Sequence, residues 1–107
     1  MKGTSVTTIS LDQNPVSLGD TVTFTVTDIP HGTKNPWISL TAYDPNTGDV
    51  IYGEGGKVGS SFLLGGASSQ WLTQGGPAKC HAEVGDLYWK GGKEYYTFLA
   101  ATEFDAV

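Results

Sequence analysis

Few side chains in this 107-residue chain have types and spacing that suit chemistry. Cys80 and His81 are neighbours, a nucleophile beside a base, but they fall in an alternating segment where successive side chains face opposite ways, so they cannot meet on one substrate. His31 sits 50 residues before His81, in a proline-flanked loop. Asp44-Pro45-Asn46-Thr47-Gly48-Asp49, with Glu54 beyond it, offers oxygens at intervals that a Ca²⁺ ion would accept. The twelve-residue calcium loop and its terminal glutamate are missing, and Asp, Pro, Asn and Gly are the residues of an ordinary turn, so the turn reading is preferred. Ser60-Ser61 and Ser68-Ser69 lack the Gly-x-Ser-x-Gly setting of an exposed nucleophile. Gly53-Glu54-Gly55-Gly56-Lys57-Val58-Gly59 lacks the Gly-Lys-Ser/Thr ending of a phosphate loop and reads as a mobile, glycine-rich turn. No catalytic, cofactor-binding or metal-ligating residue is expected, and the chain reads as a non-enzyme.

Aromatic side chains remain. Trp37, Trp71, Trp89, Tyr43, Tyr52, Tyr88, Tyr95, Tyr96, Phe98 and Phe104 are more than a small core needs. Tyr95 and Tyr96 are adjacent in a strand, so one of them points outward. Exposed Trp and Tyr join a flat apolar face to a hydrogen-bonding tip, which suits protein interfaces and sugar stacking alike. The expected binding surface is Trp71, Trp89, Tyr95 and Tyr96. Trp71, between Gly66 and Gly75, is read as an exposed anchor, with a plug over one end of the fold as the competing reading.

The elements that position these residues are strands. Thr21 to Thr27 alternates Val22, Phe24 and Val26 with four threonines, the period-2 signature of a half-buried strand. Ser5 to Leu11 precedes it and is interrupted at Asp12 to Pro15 before Val16 to Leu18 resume, a first strand with a kink. Trp37 to Tyr43 places Ile38, Leu40 and Ala42 on one side and Ser39, Thr41 and Tyr43 on the other, with Trp37 assigned to the interior. Asp44 to Asp49 forms a hairpin loop with a left-handed residue at Gly48, and Val50 to Tyr52 returns. Ser61 to Leu64 is a short strand, and Trp71-Leu72 is a short strand or a single turn. Ala78, Cys80, Ala82 and Val84 alternate with polar residues; Leu87 to Trp89 extends that strand, Lys90-Gly91-Gly92-Lys93 turns, and Glu94 to Phe104 closes the chain. Seven or eight strands with no helical period or repeat predict one all-β domain over residues 1–107, an antiparallel β-sandwich, with a small closed barrel as the alternative.

Six lysines, no arginine and a net charge of -5 argue against a nucleic-acid partner. No segment approaches the span of about 20 apolar residues that a membrane helix needs, and the first residues carry no signal-peptide core, so a soluble, unprocessed protein is expected. One cysteine precludes an internal disulfide.

With these strands placed, the chain resembles the immunoglobulin-like fold. Phe24 stands where the first core cysteine of that family would be, Trp37 follows 13 residues later, and Cys80 takes the place of the second cysteine. Pro15 to Val22 resembles the family's entry into its second strand. No tyrosine stands two residues before Cys80, where Ala78 sits, so the antibody types fit less well than looser modules. Phe62 to Trp71, Trp89 to Glu94 and Phe98 to Thr102 are similar to small immunoglobulin-like proteins of tailed bacteriophages. That resemblance implies a virion accessory or capsid-decoration module, made in the host cytoplasm, whose partner is a phage capsid or tail protein. Recognition of host-surface carbohydrate is the alternative.

Overall fold

The computed structural model describes residues 6–13 and 15–107. Seven strands and one short helix follow in chain order: β1 Thr8–Leu11, β2 Thr21–Thr27, β3 Pro36–Tyr43, β4 Val50–Lys57, β5 Ser61–Leu63, α1 Gln70–Gln74, β6 Ala78–Lys90 and β7 Lys93–Ala106. They form two antiparallel sheets, β1-β2-β5 and β4-β3-β6-β7, which share one core. This is the predicted sandwich. The constant-type immunoglobulin partition pairs the fourth strand with the fifth; here β4 hangs on β3 instead.

The alternation read from the sequence decides what is buried. Val22 and Phe24 of β2, Ile38, Leu40 and Ala42 of β3, and Ala78, Cys80, Ala82 and Val84 of β6 all turn inward. Phe24 contacts Phe62 edge-on within its own sheet, ring centroids 5.9 Å apart, and reaches Phe104 of the opposite sheet at 6.0 Å. The β1–β2 connection crosses between the sheets. Val16 forms a parallel bridge to Ala106, and its carbonyl accepts the Val107 N–H at 2.8 Å. The expected resumption of the first strand over Val16 to Leu18 is thus a single bridge; Ser5 and Asn14 of that expectation lie outside the described residues.

Three sequence expectations are corrected. Of the glycine-rich Gly53 to Gly59 stretch only Val58-Gly59 is a turn, because β4 runs through Lys57 and pairs with β3 along its length. Glycine is needed there: a Cβ at Gly55 would stand 2.7 Å from the Trp37 indole nitrogen, and one at Gly56 would press on Phe62 at 3.3 Å. Trp37 is not interior. It is half-buried on the outer side of the sheet, out of step with Ile38, and lies over Gly55. Trp71 is the largest correction. It stands in α1 and is fully buried, so the exposed-anchor reading fails and the competing reading of Trp71 as a plug is the one that burial supports. The Ser69 hydroxyl caps that helix by accepting the Leu72 N–H, and Gly75, at φ 69°, ends it. The indole N–H is satisfied by the Gly76 carbonyl at 2.9 Å, and the ring tilts against Tyr52 at 6.0 Å.

Cys80 is 3% exposed, and burial is the main cause that pushes its thiol up to about 11. The fold therefore holds the thiol proton more tightly than the unfolded chain does. That contribution to stability is complete below the unfolded thiol's value, near 8.5, and is lost as the pH rises toward 11. At about pH 8 native Cys80 is expected to resist disulfide-exchange reagents and to react only on unfolding. Labelling of the native protein at the rate of an unstructured thiol would contradict the inward assignment of β6.

Candidate functional site

The strands β6 and β7 outrun the sandwich. Pro36, the first residue of β3, pairs with Asp86, so Leu87 to Tyr96 continue as a two-stranded arm with no third strand beside it. The molecule measures 49 × 36 × 23 Å in consequence. An isolated two-stranded ribbon is marginal in water, and this one is clamped at its root. The buried Asp86 carboxylate accepts the backbone N–H of Asn35 at 2.8 Å and of Lys34 at 3.1 Å, and the Asn35 side-chain amide donates to the Leu87 carbonyl at 2.7 Å. On one side of the arm Tyr88 and Tyr95 stack at 5.5 Å, and the Lys34 ammonium lies 4.5 Å above the Tyr88 ring.

The other side is continuous with the outer face of the four-stranded sheet. Register places Trp37, Gly85 and Phe98 across three neighbouring strands, with Leu87 and Tyr96 one step along and Trp89 and Glu94 beyond them. A register shift at Val84/Gly85 keeps this geometry. Leu99 packs on the core beside buried Ala100, so Phe98 is left facing water. Trp89 is 68% and Phe98 57% exposed, and Tyr96 is 42% exposed. Glycines make the shelf on which two of these rings lie. A Cβ at Gly85 would overlap the Tyr96 ring, as one at Gly55 would meet Trp37.

Polar groups border the rings. The Tyr96 hydroxyl donates to Glu83 at 2.5 Å; His81 stands between Glu83 at 3.3 Å and Glu103 at 3.4 Å. Desolvation first, and the Glu83 carboxylate second, push the Tyr96 phenol well above its ordinary range. Glu83→Gln removes the charge but leaves the desolvation, so the alkaline ultraviolet titration of one tyrosine is expected to shift part of the way down and not to the ordinary value. A titration unchanged in Glu83→Ala, which removes both the charge and the acceptor, would mean that the two side chains do not meet in solution.

Of the four residues expected to form a binding surface, Trp89 and Tyr96 share this face, Tyr95 lies on the reverse of the arm against Tyr88, and Trp71 is interior. Tyr95 and Tyr96 are both exposed, where one was expected, because a ribbon beyond the sandwich has two wet sides. Trp37 and Phe98 complete the face and were not singled out as binding residues. Gly85, which pairs with both Trp37 and Phe98, and Gly55, which lies under the Trp37 ring opposite Ser39, were the available signal.

The other chemical candidates are occupied with structure. The Asp44 carboxylate accepts the Asn46 N–H at 2.8 Å and the Gln74 amide at 3.1 Å, and the Asn46 bond is the main reason its pKa is lowered. Gly48 takes φ 78° as a turn requires. Among the described residues no three His, Cys, Asp or Glu side chains are grouped to hold a metal ion, and no helix is long and apolar enough to cross a membrane.

Comparison of the chain with protein-family models, curated proteins and solved structures gives no match.

Proposed function

We propose that this chain is a non-enzymatic binding module of a tailed-phage particle, docking a capsid or tail protein through the outer face of β4-β3-β6-β7. One observation carries the reading: Trp37, Trp89, Tyr96 and Phe98 gather on a single uncovered face that runs from the four-stranded sheet onto its β6–β7 arm, with glycines beneath two of them. Aromatic anchors of this kind supply most of the energy at protein interfaces. A particle also presents its binding sites as a lattice, so modest single contacts suffice. The placement on a virion rests on the resemblance of the sequence to phage immunoglobulin-like proteins.

A second reading, binding of host-surface carbohydrate, is favoured by the way the Trp37 and Tyr96 rings lie on the glycine shelf with Glu83 beside them, a flat surface for a sugar ring edged by an acceptor. Co-sedimentation with tailed-phage heads and whole particles, run beside a host-glycan array, separates the two. Saturable binding to particles at fixed copy number is the expected result. Binding to glycans alone would transfer the site to the second reading, and binding to neither would overturn both.

A further inference from the structure

The two sides of the β6–β7 arm carry different charges. Register sets Tyr88 opposite Tyr95 and Lys90 opposite Lys93, and alternation along both strands puts these four on the reverse side, away from Trp89, Glu94 and Tyr96. The exposed lysine pair stands one same-side step, about 7 Å, beyond the tyrosine pair. Lys34 joins them from the β2–β3 loop, its ammonium 4.5 Å from the centre of the Tyr88 ring. The arm and its root carry two carboxylates, Glu94 and Asp86, and neither lies open beside these amines. Glu94 pairs with Trp89 and so belongs to the outer face. Asp86 is buried, and its oxygens accept the Lys34 and Asn35 N–H groups.

The tyrosine stack has a closed end and an open one. Asn35 lies beside Leu87, which brings Lys34 over Tyr88 from the β3 side of β6. Tyr88 lies nearly parallel to Tyr95, 17° between the ring planes, and β7 is the last strand of its sheet, so no strand stands beyond Tyr95. We infer that this side of the arm binds an acidic saccharide, a pyranose ring lying on the open face of Tyr95 and its carboxylate or sulfate groups meeting Lys90 and Lys93, with Lys34 adding charge at the far end of the stack. Charge and shape together name the occupant. A tyrosine face matches the C–H face of a sugar, and lysine, a point charge without a fixed fork, serves anionic groups whose direction varies along a saccharide. A run of acidic side chains would satisfy the amines and leave the Tyr95 face bare. The net charge of -5 opposes a long polyanion, so the ligand is a short one, one or a few acidic sugar residues. The site is separate from the outer aromatic face, and the inference stands whether or not that face docks a particle protein.

Calorimetric titration of the full chain with a short oligogalacturonate, and with its methyl ester, which keeps the rings and removes the charge, tests the inference. Saturable binding of the acid is expected at about 0.01 M salt, where the Debye length is about 30 Å, and its loss at about 1 M, where it is about 3 Å. The ester is expected not to bind. Tyr95→Thr, which keeps a strand-forming residue, and K90E/K93E are each confirmed folded by circular dichroism, and each is expected to lower the affinity at least about tenfold. Absence of binding by the acid, equal binding of acid and ester, or wild-type affinity in either variant would overturn the inference. So would equal binding of an oligoglutamate of the same charge, which would make the ligand an acidic peptide. Tyr96→Ala/Phe98→Ala reads which side is used: a loss as large as that of Tyr95→Thr would move the saccharide to the outer face and overturn the assignment to the reverse one.

Discussion

Trp71→Ala is expected to destabilise the protein by about 3–5 kcal/mol, in line with other fully buried large aromatics. Against a total stability of about 5–15 kcal/mol for a domain of ordinary size, that loss would unfold a large fraction of the chains. The indole is the largest fully buried side chain, and α1 has no other buried residue. Truncation would leave a cavity against Tyr52, strip the Gly76 carbonyl of its donor and remove the one buried side chain of α1, leaving Leu64 as the crossover's other core residue. Urea unfolding followed by circular dichroism measures the loss. A cost below about 1 kcal/mol would mean that the helix does not hold the indole inside. Any binding defect of this variant would report unfolding and not a lost contact.

Phe24→Ala is the second large effect, again about 3–5 kcal/mol by lost transfer energy plus a cavity. Its ring joins the two sheets, touching Phe62 on one side and Phe104 on the other. Phe24→Leu keeps most of the volume and should cost less than about 1.5 kcal/mol. Equal losses for the two substitutions would show that ring packing between the sheets is not the source. A loss below about 1 kcal/mol for Phe24→Ala would remove Phe24 from the centre of the core.

The parts of this fold that were legible in the sequence are those governed by a local period. In β2, β3 and β6 each inward residue is two positions from the next, and the sheets bury the set that alternation picks out. Trp71 was not legible because five helical residues are too few to show a period. Its capping residues, Ser69 and Gly75, were present, but only the Tyr52 ring decides that the indole points in. Gly53 to Gly56 read as a loop because glycine disfavours strands. Their conformation is set by what packs on them, Trp37 over Gly55 on one face and Phe62 against Gly56 on the other, contacts that no local period announces. Alternation also told which residues of β6 and β7 share a side, but not that β3 stops at Pro36 and leaves ten residues of hairpin, Leu87 to Tyr96, without a neighbour. The binding face is a product of that mismatch in strand length.

Co-sedimentation of tailed-phage particles with the Tyr96→Ala/Phe98→Ala variant, compared with wild type at near-physiological salt, tests most directly whether the outer aromatic face is the docking surface. Phe98 is 57% and Tyr96 42% exposed and neither belongs to the core, so the variant is expected to remain folded in urea well above the transition of a core truncation, while its affinity for particles falls at least about tenfold, the equivalent of about 1.4 kcal/mol. Particle binding equal to wild type by a folded variant would contradict the account.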